Sequence, residues 1–273
     1  MKNNYPSKYF DQEKKRLIFV NKKATSKFWD QHWNDKDLKK SIKTGKNDRF
    51  VSKTTKRFLK PSKTKKILEG GCGKGQFVYS LEKTGYNAYG IDYANKTVSK
   101  INACMPSLKI TSGDVRDINF PDNYFDGYWS LGVIEHFFNG YNNIINEMYR
   151  VIKPGGYLFL TFPYMSPLRR LKAKFKKYPL FNPNDFDQNN FYQFALNNKN
   201  VQKDLANLNF KLIQKIPFDG LKGLKDEIAI TKSFLQKLYD SQNIFLQGIG
   251  FVISHITAPF ASHSILLIFK KDE

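Results

Sequence analysis

Residues 67–75 read Ile67-Leu68-Glu69-Gly70-Gly71-Cys72-Gly73-Lys74-Gly75, a short apolar strand running into a glycine-dense turn with an acid at its mouth. Glycine accepts positive φ and lets a ligand come closer than a Cβ would allow. With the helix-compatible stretch Gln76 to Lys83 behind it, this is the first βα unit of a doubly wound α/β fold. The dinucleotide fingerprint requires G-x-G-x-x-G, but its third position falls here on Gln76. The glycines stand instead at 71, 73 and 75, with Glu69 two places ahead. A pyrophosphate on the helix N-terminus would be repelled by that acid. A ligand carrying positive charge and no phosphate would be favoured by it.

Working outward, the alternation of strand and helix is regular from Lys65. Strands are expected at Lys66–Glu69, Asn87–Ile91, Leu108–Thr111, Phe125–Ser130, Tyr157–Phe162, Phe210–Phe218 and His263–Lys270. Helices are expected at Tyr141–Val151 and Asn198–Leu208, with Lys153-Pro154-Gly155-Gly156 as a turn. Two stretches, 163–197 and 219–262, exceed ordinary connector length and read as helical lid insertions. The expected organisation is a basic N-terminal helical cap over 1–64 and one α/β domain over 65–273. The first dozen residues read as disordered, and Phe28, Trp29 and Trp33 as an aromatic cluster on an N-terminal helix, with Trp29 and Trp33 either helping to close the pocket or packing the helix.

The motifs follow in order. Asp92 ends the second strand in Gly90-Ile91-Asp92-Tyr93, about 20 residues past the glycine turn, where a carboxylate can accept ribose hydroxyls or cap the next helix. Asp114, in Gly113-Asp114-Val115, stands where an acid accepts an adenine amino group beside the Val115 backbone N–H; otherwise it is a turn residue. Phe125-Asp126-Gly127-Tyr128, then Ser130-Leu131-Gly132-Val133-Ile134-Glu135-His136, then Val151-Ile152-Lys153-Pro154-Gly155-Gly156 complete the series.

This ordered set resembles the successive signatures of class I S-adenosylmethionine-dependent methyltransferases over residues 67–162. The resemblance implies a seven-stranded, mostly parallel sheet whose last strand is antiparallel. It implies S-adenosyl-L-methionine as cofactor, held by Glu69, Gly70, Gly71, Gly73, Asp92, Tyr93, Asp114, Val115, Ser130 and Leu131. It further implies methyl transfer to an oxygen or nitrogen of a small or lipid-like acceptor. His136 is either the general base for a hydroxyl acceptor or a buried histidine that fixes its loop. No Asn/Asp-Pro-Pro-Tyr/Phe or Pro-Cys sequence occurs where base-methylating enzymes carry one. RNA methylation, a non-catalytic cofactor-binding module and a nicotinamide-dependent dehydrogenase are the rival readings.

Composition sets the remaining bounds. The chain has 273 residues, 41% hydrophobic and 15% aromatic, which excludes a disordered class. Two cysteines and four histidines give neither a disulfide framework nor metal-ligand spacing. The N-terminus shows no signal sequence, so a cytoplasmic protein is expected. The net charge of +21 is uneven: residues 1–66 carry 21 Lys+Arg against 6 Asp+Glu, residues 163–180 carry 6 against 0, and residues 67–162 are near neutral. The basic segments suit an anionic membrane surface or nucleic acid, or reflect drift toward lysine, which outnumbers arginine 38 to 7. Leu168, Leu171 and Phe175 share a helical face amid six basic residues, either a lid helix packing that apolar stripe on the domain or a basic amphipathic helix resting on anionic lipid or nucleic acid. Residues 244–262 lack charge altogether and read as a buried or lid element lining an apolar pocket, or as a membrane-interfacial segment.

Overall fold

The computed structural model describes residues 7–20, 24–34 and 36–273; the expectations for residues 1–6, 21–23 and 35 lie outside the described residues. In chain order the strands are β1 (Lys8–Asp11), β2 (Arg16–Val20), β3 (Lys66–Gly70), β4 (Asn87–Asp92), β5 (Lys109–Ser112), β6 (Phe125–Leu131), β7 (Ile152–Pro163), β8 (Phe191–Ala195), β9 (Phe210–Phe218) and β10 (Ser264–Lys271). The helices are α1 (Ser26–His32), α2 (Leu38–Lys43), α3 (Phe50–Phe58), α4 (Gln76–Thr84), α5 (Asn95–Cys104), α6 (Asn142–Val151), α7 (Pro167–Lys174), α8 (Asn198–Ala206), α9 (Gly220–Glu227), α10 (Lys232–Tyr239) and α11 (Ile244–Ala261). Seven strands form one sheet in the order β5-β4-β3-β6-β7-β10-β9, mostly parallel with antiparallel last strands, as the resemblance implied.

Two compact units divide the chain. The first comprises Ala24–Leu160, Asp204–Ile213 and Ile268–Glu273. Its centre is β6, whose Phe125, Tyr128 and Trp129 are fully buried because both faces of a parallel strand are covered. Trp129 stacks on Phe159 at 4.5 Å and donates its indole N–H to Thr55 Oγ1 at 2.9 Å, so its polar edge is not left dry. Asp48 accepts from the backbone N–H groups of Phe50, Val51 and Ser52, which start α3. The parallel register sets Gly70 opposite both Ile91 and Ser130, and Asp92 opposite Ser112. Four chemically marked strand ends therefore share one edge.

The second unit comprises Thr161–Lys203 and Gln214–Leu267 with the described part of residues 1–23. Here β1, β2 and β8 form a separate antiparallel sheet, with Leu17 opposite Ala195 and Ile18 opposite Phe194. The expected disorder of the first dozen residues gives way to β1 at Lys8–Asp11. The helices α1, α2 and α3 lie within the segment read as a helical cap, while Lys8–Asp11 and Arg16–Val20 are strand. The basis is tertiary: Leu17, Met165, Tyr178 and Ala195 form a buried cluster. Beside it lies an ionic knot. Glu227 accepts from Lys8 Nζ (2.8 Å), Arg169 Nε (3.0 Å), Lys172 Nζ (2.9 Å) and Tyr178 Oη (2.7 Å). Although burial opposes the charge, the nearby cations hold that carboxyl down to about 2.

Three expectations need correction. Residues 153–156, read as a turn, open β7 with a local kink at Gly155 (φ 73). The apolar face of α7 is not packed away: Leu168 is buried, but Leu171 and Phe175 are exposed. The uncharged segment 244–262 is mostly exposed rather than buried. It is the 18-residue helix α11, whose large side chains point outward, because α9 claims its opposite, small-residue side.

Candidate cofactor site

The site grows from the glycine loop between β3 and α4, in the first unit. Gly71, Gly73 and Gly75 all take positive φ (74°, 51° and 73°), which tightens the loop beyond what residues with a Cβ adopt readily. The N–H groups of Gly71 and Cys72 donate to Ile91 O at 2.8 and 3.0 Å, tying the loop to β4. Asp92 completes the tie. Its Oδ2 accepts from Gly73 N at 2.8 Å and its Oδ1 from Ala94 N at 2.9 Å. The carboxylate thus both fixes the loop and caps the turn into α5, while its remaining lone pairs face outward from those bonds. Burial raises its pKa even so.

Glu69 is 2% exposed, and its Oε2 has no hydrogen-bond partner. Burial, and secondarily the charge of Asp92, push its pKa well above the ordinary value; a bond from the Val78 backbone N–H at the start of α4 offsets part of this. Ser130, fully buried at the end of β6, likewise has an Oγ without a partner. Two buried carboxylates and an orphan hydroxyl around a positive-φ loop suit a ligand that brings positive charge and donors. An anionic pyrophosphate does not suit them.

Helix α1 forms a wall over this loop. A Cβ on Gly73 would lie 2.9 Å from Trp33 Cε2, so the indole rests directly on the glycine. Trp33 stacks with Trp29 at 5.8 Å, and Trp29 meets the His136 ring edge-on at 5.0 Å. The expected aromatic helix and the expected histidine are thereby brought together. Further bonds pin α1: Asp30 Oδ1 accepts from Thr97 N and Oγ1, Ser26 Oγ donates to Tyr93 O, and Tyr93 Oη donates to Ala24 O. Burial pushes the Tyr93 phenol up to about 12, so it remains a donor at neutral pH. Sequence reading missed Ser26 and Asp30. Their partners lie 67 residues away, and no local pattern marks such a pair.

The other candidates fall at the same strand edge with different emphasis. Val115 is buried. Asp114 is gripped in a fork by Arg116, with Nη2 at 2.6 Å from Oδ2 and Nε at 3.0 Å from Oδ1, which holds its carboxyl below the usual range. Any ligand amine there would share the carboxylate with that guanidinium. His136 closes a short 3₁₀ turn, Ile134–His136, beside buried Glu135.

Comparison with known proteins points the same way. The family profile described as a methyltransferase domain matches residues 68–160. The first unit therefore carries a domain that is similar to class I S-adenosylmethionine-dependent methyltransferases. That domain is 30% identical over 97 residues to a probable S-adenosylmethionine-dependent methyltransferase of Mycolicibacterium smegmatis, covering 36% of this chain and 37% of that protein. It is 32% identical over 110 residues to a demethylmenaquinone methyltransferase of Geobacillus sp. (37% and 47%), and 28% identical over 106 residues to a fatty-acid O-methyltransferase of M. smegmatis (36% and 36%). The chain thus spans less than half the length of each of these relatives. Among solved structures, an S-adenosylmethionine-dependent methyltransferase of Archaeoglobus fulgidus aligns with TM-score 0.52 at 18% identity, over 81% of this chain and 93% of that one. The [4+2]-cyclase SpnF aligns with TM-score 0.53 at 15% identity, over 93% and 98%. At such identities these two speak for the fold alone. The buried Glu69 oxygen, the orphan Ser130 hydroxyl and the glycine loop fit S-adenosylmethionine, which pairs an ammonium and a sulfonium with hydroxyls and carries no phosphate.

Proposed function

We propose that this protein transfers a methyl group from S-adenosylmethionine to an oxygen or nitrogen of a small-molecule or lipid-like acceptor. The observation carrying the reading is the buried carboxylate pair Glu69 and Asp92 on a glycine loop that rejects a phosphate. Relatives named for demethylmenaquinone, a fatty acid and a sterol support the acceptor class. When bound, the cofactor supplies an electrophilic methyl on a sulfonium. Everything else falls to this chain's residues. Glu69, Gly70, Gly71, Gly73, Asp92, Tyr93, Asp114, Val115, Ser130 and Leu131 would hold it, with Glu69 matching positive charge and Asp92 accepting hydroxyls. Trp29 and Trp33 exclude water from the loop, which strengthens the electrostatics inside. His136, lodged against Trp29, would receive the acceptor's proton as the new bond forms.

A non-catalytic cofactor-binding module is the second reading, since the fold by itself does not require methyl transfer. The deciding experiment is transfer of tritiated methyl into fractionated lipid, small-molecule and RNA pools from a cell extract. Label in the lipid or small-molecule pool supports the proposal, and label in RNA replaces its acceptor. No label anywhere, with S-adenosylhomocysteine still bound, leaves the second reading standing.

A further inference from the structure

Helix α11 is amphipathic the wrong way round for a surface helix. The side packed into the second unit is small and weakly polar: Gly250, Ser254, Thr257, Ala258 and Ala261. It lies so close to α9 that a Cβ on Gly220 would come within 2.3 Å of Ser254 O, and one on Gly223 within 1.5 Å of Ala261 O. The outward side carries the large residues. Ile244, Phe245, Phe251, Val252, Ile256 and Phe260 are 87%, 74%, 64%, 53%, 74% and 48% exposed. A water-facing helix puts its charges on that side. This one has no Asp, Glu, Lys or Arg anywhere between Asp240 and Lys270.

Its neighbours extend the same character. Helix α10, which packs on α9 and α11 through Leu235 and Leu238, exposes Phe234 (66%), and Ile230 just before it is 92% exposed. Helix α7, also packed on α11, exposes Leu171 and Phe175 beside exposed Arg170, Lys174, Lys176 and Lys177. The second unit thus shows bare apolar side chains next to unopposed positive charge.

We propose that this surface docks the protein on an anionic lipid bilayer, with α11 lying in the interface rather than crossing the membrane. Two observations select lipid over a protein partner. Along α11 this face exposes only Gln247 and His255 among polar side chains, few for the directional hydrogen bonds that protein interfaces carry. The charge beside it is of one sign, as phosphate headgroups demand. Lying, not spanning, follows from the fixed side: α9 occupies one flank of α11 from Gly250 to Ala261, and Pro259 interrupts its last turn. The inference is independent of the methyl-transfer reading, because none of these residues belongs to the glycine-loop site.

The test is flotation of the full chain with vesicles of phosphatidylcholine alone and of phosphatidylcholine with phosphatidylglycerol. The wild type is expected to float with the anionic vesicles, and less with the neutral ones. Phe251→Ser with Ile256→Ser should lower the partition about tenfold or more. Lys174→Glu with Lys176→Glu should abolish the preference for anionic lipid. All four sites are exposed, so folding is checked by an unchanged circular-dichroism spectrum and melting temperature. Wild-type protein that stays in the aqueous phase with both vesicles overturns the proposal. So does a dimer in sedimentation that the Phe251/Ile256 variant dissolves while vesicles bind neither form.

Discussion

Gly73→Ala interrogates the heart of the cofactor site, and its outcome can be worked from two distances and an angle. At φ 51° an alanine accepts left-handed strain of about 1–2 kcal/mol. Its new methyl would stand 2.9 Å from Trp33 Cε2 and 3.0 Å from Cζ2, inside contact distance, so the indole must move. That ring is stacked with Trp29, which abuts His136, so the displacement passes along the wall of the site. Gly140→Ala is the matched control. It also has positive φ (105°), but nothing lies within 4 Å of its added methyl. Both variants should lose roughly 2–8 °C of melting temperature, at about 2–4 °C per kcal/mol for a chain of this size. Only Gly73→Ala should weaken S-adenosylhomocysteine binding in calorimetry, by about 10- to 100-fold, or ~1.4–2.8 kcal/mol. Wild-type affinity in Gly73→Ala, or an equal loss in Gly140→Ala, would refute the reasoning that this loop cradles the ligand.

Three further outcomes are expected. Burial raises the Glu69 carboxyl pKa above the ordinary 4.5, and a ligand ammonium placed beside it should lower it again, releasing a proton on binding. Affinity for S-adenosylhomocysteine should therefore rise with pH toward that raised value, with proton release visible in buffers of different ionisation enthalpy. Because a raised carboxyl pKa stabilises the fold at low pH and forfeits that stability as pH climbs, Glu69→Gln should melt higher without ligand and gain less from it; lower melting with unchanged affinity would contradict both statements. His136→Ala should reduce methyl-transfer turnover about 10²- to 10⁴-fold with the ligand Kd kept, and near-normal turnover would remove the general-base role. Burial foremost, and then Arg169, lower the His263 pKa to about 4, so its stabilising effect is complete above 6.5 and lost as pH falls from there toward 4. The unfolding free energy from urea titrations should drop across that window by on the order of 3 kcal/mol, and the drop should flatten in His263→Gln.

What the sequence disclosed, and what it hid, divides by range. The β3 turn, the acid ending β4 and the strand Phe210–Phe218 are written in local patterns, and the structure keeps them where the spacing put them. Helix α1 was legible too, because Phe28, Trp29 and Trp33 share a face. Hidden were pairs that only tertiary packing creates. Leu17 opposite Ala195 joins segments far apart in the chain, and a four-residue apolar run cannot announce its partner. The fork of Arg116 on Asp114 lay two residues away, yet sequence does not say which donor a carboxylate takes first. The exposure of α11 escaped for a different reason. Small and large residues separate cleanly around that helix, so two faces could be drawn, but periodicity does not say which one turns inward.

The pairing of β2 with β8 bears on how fragments of this protein should be cut. A recombinant piece starting at Lys65, where motif boundaries invite the scissors, would strip β8 of its neighbour and bare a row of backbone donors and acceptors. It would also delete the Lys8 ammonium from Glu227, leaving the acid with Arg169, Lys172 and the Tyr178 hydroxyl. Such a truncation invites inclusion bodies, whereas one that begins no later than Lys8 keeps the hairpin and its counter-charge together.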